Sequence, residues 1–141
     1  MVGMCFQWER NWLLPQFDMQ LWEDLAKAFN IDYLCMIPDL NINATVPLEV
    51  YDDWKQFFDA KRPVTKLVFL CPPEDWPDAI PLTEYKHPSE CVYVFGTSFS
   101  NLPDYITSED DVVTVETPAS HQIWQWHTAA IVLYDRSIKS A

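Results

Sequence analysis

Residues 80–96 read IPLTEYKHPSECVYVFG, and the end of this stretch decides the fold. From Cys91 to Phe95 every residue is hydrophobic, so the run does not alternate as a half-exposed strand would. Such a run, bounded by turn-forming residues, predicts a strand that is buried on both faces of a sheet. This predicted strand covers residues 91–96. Elsewhere in the chain, further apolar runs predict strands at 4–8, 33–38, 64–71 and 111–117.

Helical spacing separates several of these runs. Apolar residues recur at helical intervals over 17–30, where Asp18 is positioned to cap the N-terminus and Asn30 to end the helix. The same spacing predicts helices over 47–60, with a proline in the favoured first turn, and over 119–138. Strands and helices that alternate in this way predict an α/β fold, in which helices cover both faces of a parallel sheet.

One domain and one binding edge follow from this pattern. No repeat, low-complexity segment or linker interrupts it, so residues 1–141 are predicted to form a single domain. Ligands of parallel sheets bind beyond the carboxyl ends of the strands. In this sequence those ends fall at Pro38-Asp39, Cys71-Pro72, Gly96-Thr97 and Thr117-Pro118.

Composition excludes several classes of nucleotide-binding site. The chain has only two glycines, Gly3 and Gly96, whereas phosphate loops and dinucleotide-binding motifs need several at fixed spacing. Nine Lys and Arg residues against 21 Asp and Glu residues give a formal net charge of −12. This excess argues against a self-sufficient basic face for nucleic acid, and DNA is not expected as a partner.

The cysteines and the apolar runs indicate the cellular setting. The four cysteines lie far apart, in or beside apolar runs and without a C-x-x-C pair, so we predict buried free thiols rather than metal ligands. No run approaches the ~18 apolar residues of a membrane span, and the N-terminus lacks the basic start and apolar core of a signal peptide. We therefore expect a cytoplasmic protein with reduced thiols, no metal site and no membrane partner.

Three segments resemble one protein family. Residues 80–88, IPLTEYKHP, resemble a lead-in of the form pL-x-E-(F/Y)-x-HP, and residues 91–96 are similar to the avyvFG strand that follows it. Residues 129–135, AAIVLYD, are similar to the closing helix AxAIVLYE. The family is the SPOUT superfamily of α/β-knotted methyltransferases, and in particular its SpoU branch. Looser similarity over the first helix and residues 112–117 extends the match to most of the chain.

This resemblance implies properties that composition and periodicity do not give. It implies a C-terminal trefoil knot, S-adenosylmethionine held in a bent form by the knot loops, a homodimer and 2′-O-methylation of RNA. By matching position, the cofactor-binding residues are Cys71, Gly96, Val115 and Gln122. RNA enters as a partner through the resemblance alone, because the net charge does not support it.

The three catalytic motifs of the family are altered in this chain. The arginine of N-x-G-x-x-x-R corresponds to Asp24, the glutamate of F-G-x-E-x-x-G-L to Ser98 and the serine of S-L-N to Gln122. In an active enzyme these would be the catalytic residues to test, with Asp24 as a general base, although helix patterning also fits Asp24 to a solvated face. Asn101 replaces a family glycine, and asparagine is the best substitute where a positive φ is required.

Three functions stay open at this level. The first is an S-adenosylmethionine-dependent RNA methyltransferase whose catalytic residues differ from the usual set. The second is a catalytically inactive SPOUT-fold module that dimerises and binds a partner or a nucleotide-like ligand, and the altered motifs and the negative charge favour it. The third is an unrelated parallel α/β binding protein.

Overall fold

The computed structural model describes residues 1–8, 14–97, 100–119, 121 and 123–140. Within these residues lie seven strands, β1 (Val2–Gln7), β2 (Tyr33–Ile37), β3 (Leu48–Val50), β4 (Lys66–Leu70), β5 (Ile80–Pro81), β6 (Cys91–Phe95) and β7 (Asp111–Thr114). The same residues contain three α-helices, α1 (Pro15–Ala28), α2 (Trp54–Lys61) and α3 (Gln125–Lys139), and short 3-10 helices at Leu82–Glu84 and Leu102–Tyr105.

The strands form one sheet in the order β3-β2-β1-β6-β4-β7-β5. All neighbouring strands described in the sheet run parallel. The first strand lies inside the sheet, where Cys5 is opposite Cys35 of β2 on one side and Val94 of β6 on the other. The predicted parallel α/β fold is thus confirmed.

Each face of the sheet has its own hydrophobic core. On one face α1 and α3 pack together, and Trp22 of α1 stacks on Phe6 of β1 with ring centroids 4.7 Å apart. On the other face α2 contributes Phe57 and Phe58, which pack against the opposite pleat of the strands. Because successive strand residues point to opposite faces, a sheet covered on both sides leaves few solvated positions in its central strands.

Residues 47–60 do not form the single helix that their spacing predicts. Leu48–Val50 forms β3, which pairs in parallel with β2 at the edge of the sheet. The helix α2 begins only after Asp53, whose carboxylate accepts a hydrogen bond of 2.8 Å from the backbone N–H of Gln56. Pairing with a neighbouring strand and a helix cap together override the local apolar spacing here.

The first helix begins two residues earlier than predicted, and Asp18 does not cap it. Pro15 occupies the first helical position, which suits a residue that lacks a backbone N–H. Asp18 lies inside the helix and is buried, where its carboxylate accepts a hydrogen bond of 2.7 Å from the indole N–H of Trp126 on α3. Asp18 therefore links the two helices that cover one face of the sheet.

The last helix and the last strand are shorter than predicted. The helix α3 begins at Gln125 instead of residue 119, and β7 ends at Thr114 instead of residue 117. The strand ends there because its pairing ends at the same place, where Thr114 faces Pro81 of β5. The strand β5 has only two residues and is not among the strands that the sequence predicted.

All four cysteines are free and buried, as predicted, and each belongs to one of the two cores. Among the described residues, no helix has both the length and the apolar character needed to cross a bilayer. Across the same residues, no three His, Cys, Asp or Glu side chains come together as a group that could hold a metal ion.

Candidate functional site

The candidate site lies at the carboxyl ends of three neighbouring strands, β6, β4 and β7. Cys71 follows β4, Gly96 follows β6 and Val115 follows β7, and all three residues line one pocket of about 1080 Å³. Their convergence follows from the topology, because the ends of adjacent parallel strands meet at one edge of the sheet. The structure therefore brings together three of the four residues predicted to bind a cofactor.

Loops that follow these strands form the walls of the pocket. The loop after β4 contributes Pro72, Pro73 and Pro77, whose rings fix φ and limit the freedom of this wall. The loops after β6 and β7 and the start of α3 contribute most of the other lining residues. The polar and charged lining residues are Glu74, Asp75, Thr97, Asn101, Asp104, Thr114, Glu116, Thr117, His121, Gln125 and Thr128.

A close approach explains the glycine at the end of β6. A Cβ atom at Gly96 would lie 2.5 Å from Cδ1 and 2.8 Å from Cγ of Leu102, whose side chain is buried. Just before that leucine, Asn101 adopts φ 51° and ψ 38°, a left-handed conformation that asparagine tolerates better than most residues. The positive φ predicted for Asn101 is confirmed.

Ser100 fastens the loop after β6 to the end of β1. Its hydroxyl accepts a hydrogen bond of 2.7 Å from the backbone N–H of Thr97 and donates one to Oε1 of Gln7. The same Gln7 oxygen accepts a hydrogen bond of 3.2 Å from the indole N–H of Trp54. Because Ser100 is buried, this network restricts the loop that carries Gly96.

Cys71 lines the pocket with its backbone and a neutral thiol, and not with a thiolate. Its N–H donates a hydrogen bond of 3.1 Å to the carbonyl of Val113, which continues the pairing of β4 with β7. Burial, with a smaller contribution from the charge of Asp75, raises the pKa of the Cys71 thiol to about 12. The thiol is therefore protonated at neutral pH and is not an activated nucleophile.

Of the three predicted catalytic residues, the structure describes only Asp24. This residue is exposed on α1 and is not among the residues that line the pocket. Its position matches the alternative prediction of a solvated helix face. Ser98 and Gln122, the latter also predicted to bind the cofactor, lie outside the described residues and stay predictions.

Two buried polar residues of the pocket escaped the sequence analysis. Thr114 at the end of β7 and Gln125 at the start of α3 are only 4% and 7% exposed. Among the described residues, Oγ1 of Thr114 and Oε1 of Gln125 have no hydrogen-bond partner. In the sequence, Thr114 cannot be told from any other β-branched residue of a strand. The last helix was predicted to begin at residue 119, so Gln125 was placed inside that helix and not at its start.

Acidic side chains set the electrostatic character of the pocket. Its described lining contains Glu74, Asp75, Asp104 and Glu116, and no lysine or arginine. Phosphate groups are usually held by Lys, Arg or clustered backbone N–H groups. The pocket is therefore poorly suited to a nucleotide polyphosphate.

Solved structures share this fold across almost the whole chain. One, concerned with the 2-OH methylation of C/U34 on tRNA, matches 99% of this chain and 90% of its own, with TM-score 0.72 and 13% identity. The AdoMet-bound rRNA methyltransferase from Sinorhizobium meliloti matches 97% of this chain and 56% of its own, with TM-score 0.72 and 10% identity. The SpoU methyltransferase AviRb from Streptomyces viridochromogenes, in complex with AdoMet, matches 98% and 57%, with TM-score 0.67 and 12% identity.

The fold is therefore that of SpoU-type RNA methyltransferases, as the sequence resemblance predicted. This chain spans little more than half the length of the two AdoMet-bound proteins and nearly all of the tRNA-related one. No family model and no curated protein matches the chain.

Proposed function

We propose that the chain binds S-adenosylmethionine in the pocket at the ends of β4, β6 and β7. The observation that carries this proposal is the convergence of Cys71, Gly96 and Val115, each predicted from the sequence, on one pocket. Two structures with the same fold hold AdoMet.

The residues present fit this cofactor. Thr114 Oγ1 and Gln125 Oε1, which are buried and unpaired among the described residues, can accept hydrogen bonds from the N–H and O–H groups of a ligand. The pocket volume is slightly above the ~300–1,000 Å³ usual for sites of small ligands, so the pocket is large enough for this cofactor. When bound, S-adenosylmethionine supplies an electrophilic methyl group. The chain's part is to hold the ligand at the strand ends, between the fastened β6 loop and the proline-containing β4 loop.

RNA is the methyl acceptor that the shared fold favours, with a ribose 2′-hydroxyl as the reacting group. The alternative is an inactive module that binds the cofactor and a partner without catalysis. Two observations favour this alternative: Asp24 does not line the pocket, and the pocket's carboxylates would repel RNA phosphates. Whichever alternative holds, the cofactor site is the same.

Calorimetric titration of S-adenosylmethionine into the purified chain tests the proposal. We expect saturable heat, and at least tenfold weaker binding by Val115→Trp, because the larger side chain occupies the pocket. Val64→Trp is the matched control, since Val64 is exposed and lies outside the pocket. Absence of heat at millimolar ligand would rule out cofactor binding. Methyl transfer from labelled cofactor to bulk tRNA or rRNA then separates the enzyme from the inactive module.

We also propose a homodimer, formed through α1 and α3. Phe17 and Leu21 on α1, and Ile131, Tyr134 and Ile138 on α3, are exposed apolar residues at helical spacing. Large exposed apolar surfaces on neighbouring helices are typical of interfaces, and the resemblance implies a second copy as the occupant. The trefoil knot and the cytoplasmic location are likewise proposals that follow from the resemblance and the sequence.

A further inference from the structure

Four exposed carboxylates line the pocket. Among the described residues, Glu74, Asp75, Asp104 and Glu116 form no ion pair and accept no side-chain hydrogen bond. Elsewhere in the chain carboxylates are paired, as where Arg62 contacts Asp110 at 2.9 Å. Within the part of the chain that the structure describes, the pocket thus concentrates unpaired negative charge at the ends of three strands.

A second observation points to the kind of ligand that meets this charge. The side-chain N–H of Gln125 donates to the backbone carbonyl of Gln7 at 3.4 Å, and this contact assigns the unpaired atom as the amide oxygen. Thr114 Oγ1 is unpaired in the same pocket wall, two residues before Glu116. An amide oxygen only accepts hydrogen bonds, so this wall is complementary to a ligand that donates them.

We propose that the pocket selects its ligand by charge, and binds the cationic sulfonium cofactor more tightly than its neutral thioether product. This inference rests on the proposed function and states which property of the ligand determines its affinity for the same site. S-adenosylmethionine carries one more positive charge than S-adenosylhomocysteine, and the two are otherwise alike except for the transferred methyl group. Unpaired carboxylates around a partly enclosed pocket stabilise that extra charge and offer nothing comparable to the product.

Charge selection has two consequences for binding. The product leaves readily and inhibits weakly, because transfer of the methyl group removes the charge that the carboxylates hold. The carboxylate of the ligand's amino-acid portion also gains no ion pair, since the described lining has no lysine or arginine. Decarboxylated S-adenosylmethionine is therefore bound at least as tightly as the cofactor itself.

Titration of the full chain with four ligands tests the inference. The ligands are S-adenosylmethionine, S-adenosylhomocysteine, decarboxylated S-adenosylmethionine and ATP as a polyanion, each at low and at high salt. At low salt we expect the Kd of the sulfonium cofactor to be about tenfold lower than that of the thioether. High salt should reduce this ratio, because screening weakens interactions between partly exposed charges.

Charge-removing variants locate the effect. Asp104→Asn combined with Glu116→Gln should reduce the sulfonium-to-thioether preference to about threefold or less, with thioether affinity nearly unchanged. Glu109→Gln is the matched control, because this exposed side chain lies outside the pocket and should leave the preference as it is. Thermal melting of each variant verifies that the fold is kept.

The outcomes separate the two proposals. Equal affinities, or tighter binding of the thioether, would overturn charge selection and leave cofactor binding intact. ATP binding as tight as that of the sulfonium cofactor would also overturn it. Absence of binding by both sulfonium and thioether would overturn the proposed function and charge selection together.

Discussion

At the residue scale, Gly96 illustrates how one missing Cβ fixes the path of a loop. Its neighbour Leu102 occupies the space where a side chain would stand, so the loop after β6 turns back tightly over the strand end. The sequence showed that one internal glycine is kept, and it predicted a positive φ at Asn101. The contact of Gly96 with Leu102 could not be predicted, because residues in an irregular loop follow no periodic spacing.

Gly96→Ala should destabilise the chain by about 1–3 kcal/mol, since its methyl group would be forced against Leu102. Urea unfolding followed by tryptophan fluorescence measures the change. Adding Leu102→Ala to this variant relieves the clash, so the two substitutions should cost less together than the sum of each alone. Strict additivity would show that the close approach is not the cause.

The buried carboxyl of Asp18 makes the free energy of unfolding depend on pH. Burial raises the pKa of its carboxyl from the ordinary 3.8 to about 6, although the indole groups of Trp126 and Trp22 lower it in part. The folded chain therefore holds this proton more tightly than the unfolded chain does. The contribution of Asp18 to stability is fully present below pH 4 and is lost as the pH rises through 6.

Asp18→Asn should remove this loss, because the amide keeps an acceptor for Trp126 and does not ionise. Relative to the natural chain, the variant should gain up to about 3 kcal/mol between pH 4 and pH 7.5. Urea unfolding of both proteins at the two pH values measures the gain. A stability difference that is the same at both would contradict a titrating Asp18.

At the scale of elements, largely apolar runs located β1, β2, β4 and β6 to within two residues at either end. These strands are buried on both faces, so nearly every residue carries the signal. Residues 47–60 were assigned wrongly because a three-residue edge strand contributes too few positions to outweigh the helical spacing that follows it. The start of α3 was missed because its N-terminus lacks a side-chain cap, so no residue type marks the boundary.

A buried histidine joins α3 to the segment before β6. Nε2–H of His87 donates to Asp135 at 2.7 Å, and the hydroxyl of Tyr93 donates to Nδ1 at 2.7 Å while accepting a hydrogen bond of 3.0 Å from Arg136. This arrangement uses the neutral ring, and burial lowers the pKa of His87 below its ordinary value of 6.5. The His87 contribution to stability is thus complete above pH 6.5 and declines as the pH falls through the lowered pKa.

His87→Ala should destabilise the chain by about 1–3 kcal/mol at pH 7.5, because it leaves Tyr93 with an unpaired buried hydroxyl hydrogen. The loss should shrink at acid pH, where the natural chain also loses this contribution. His127→Ala serves as the control, since His127 is exposed on α3. This substitution should change stability by less than about 0.5 kcal/mol. Equal losses from the two substitutions would contradict the role given to His87.

At the scale of the whole molecule, the sequence anticipated the fold and three residues that line the candidate pocket, and it missed the acidic character of that pocket. The family resemblance supplied Cys71, Gly96 and Val115 by matching position, and the parallel strands that precede them bring all three to one edge of the sheet. The acidic lining could not be foreseen, because its carboxylates come from three separate loops. The net charge of −12 gave the sign of the surface and did not say where that charge lies.

The proposed dimer makes a prediction about mass in solution. Ile131→Asp combined with Tyr134→Asp should convert a dimer into a monomer, because two charges would be buried in an apolar interface. Light scattering coupled to gel filtration measures the mass. Val64→Asp replaces a residue that is 73% exposed outside α1 and α3, and it should leave the mass unchanged. A natural chain that is already monomeric at high concentration would exclude this interface.

The place of β1 in the sheet also governs when the molecule can assemble. The strand β1 pairs with β2 on one side and with β6 on the other, where Val2 is opposite Cys91. One edge of β1 therefore stays without hydrogen-bond partners until β6 has been synthesised. During synthesis the early strands must remain with an open edge until most of the chain has emerged. Pairings so distant in sequence slow folding, and open edges invite pairing with other chains. The central position of β1 thus leaves one strand edge open for longer during synthesis than a sheet with local pairings would.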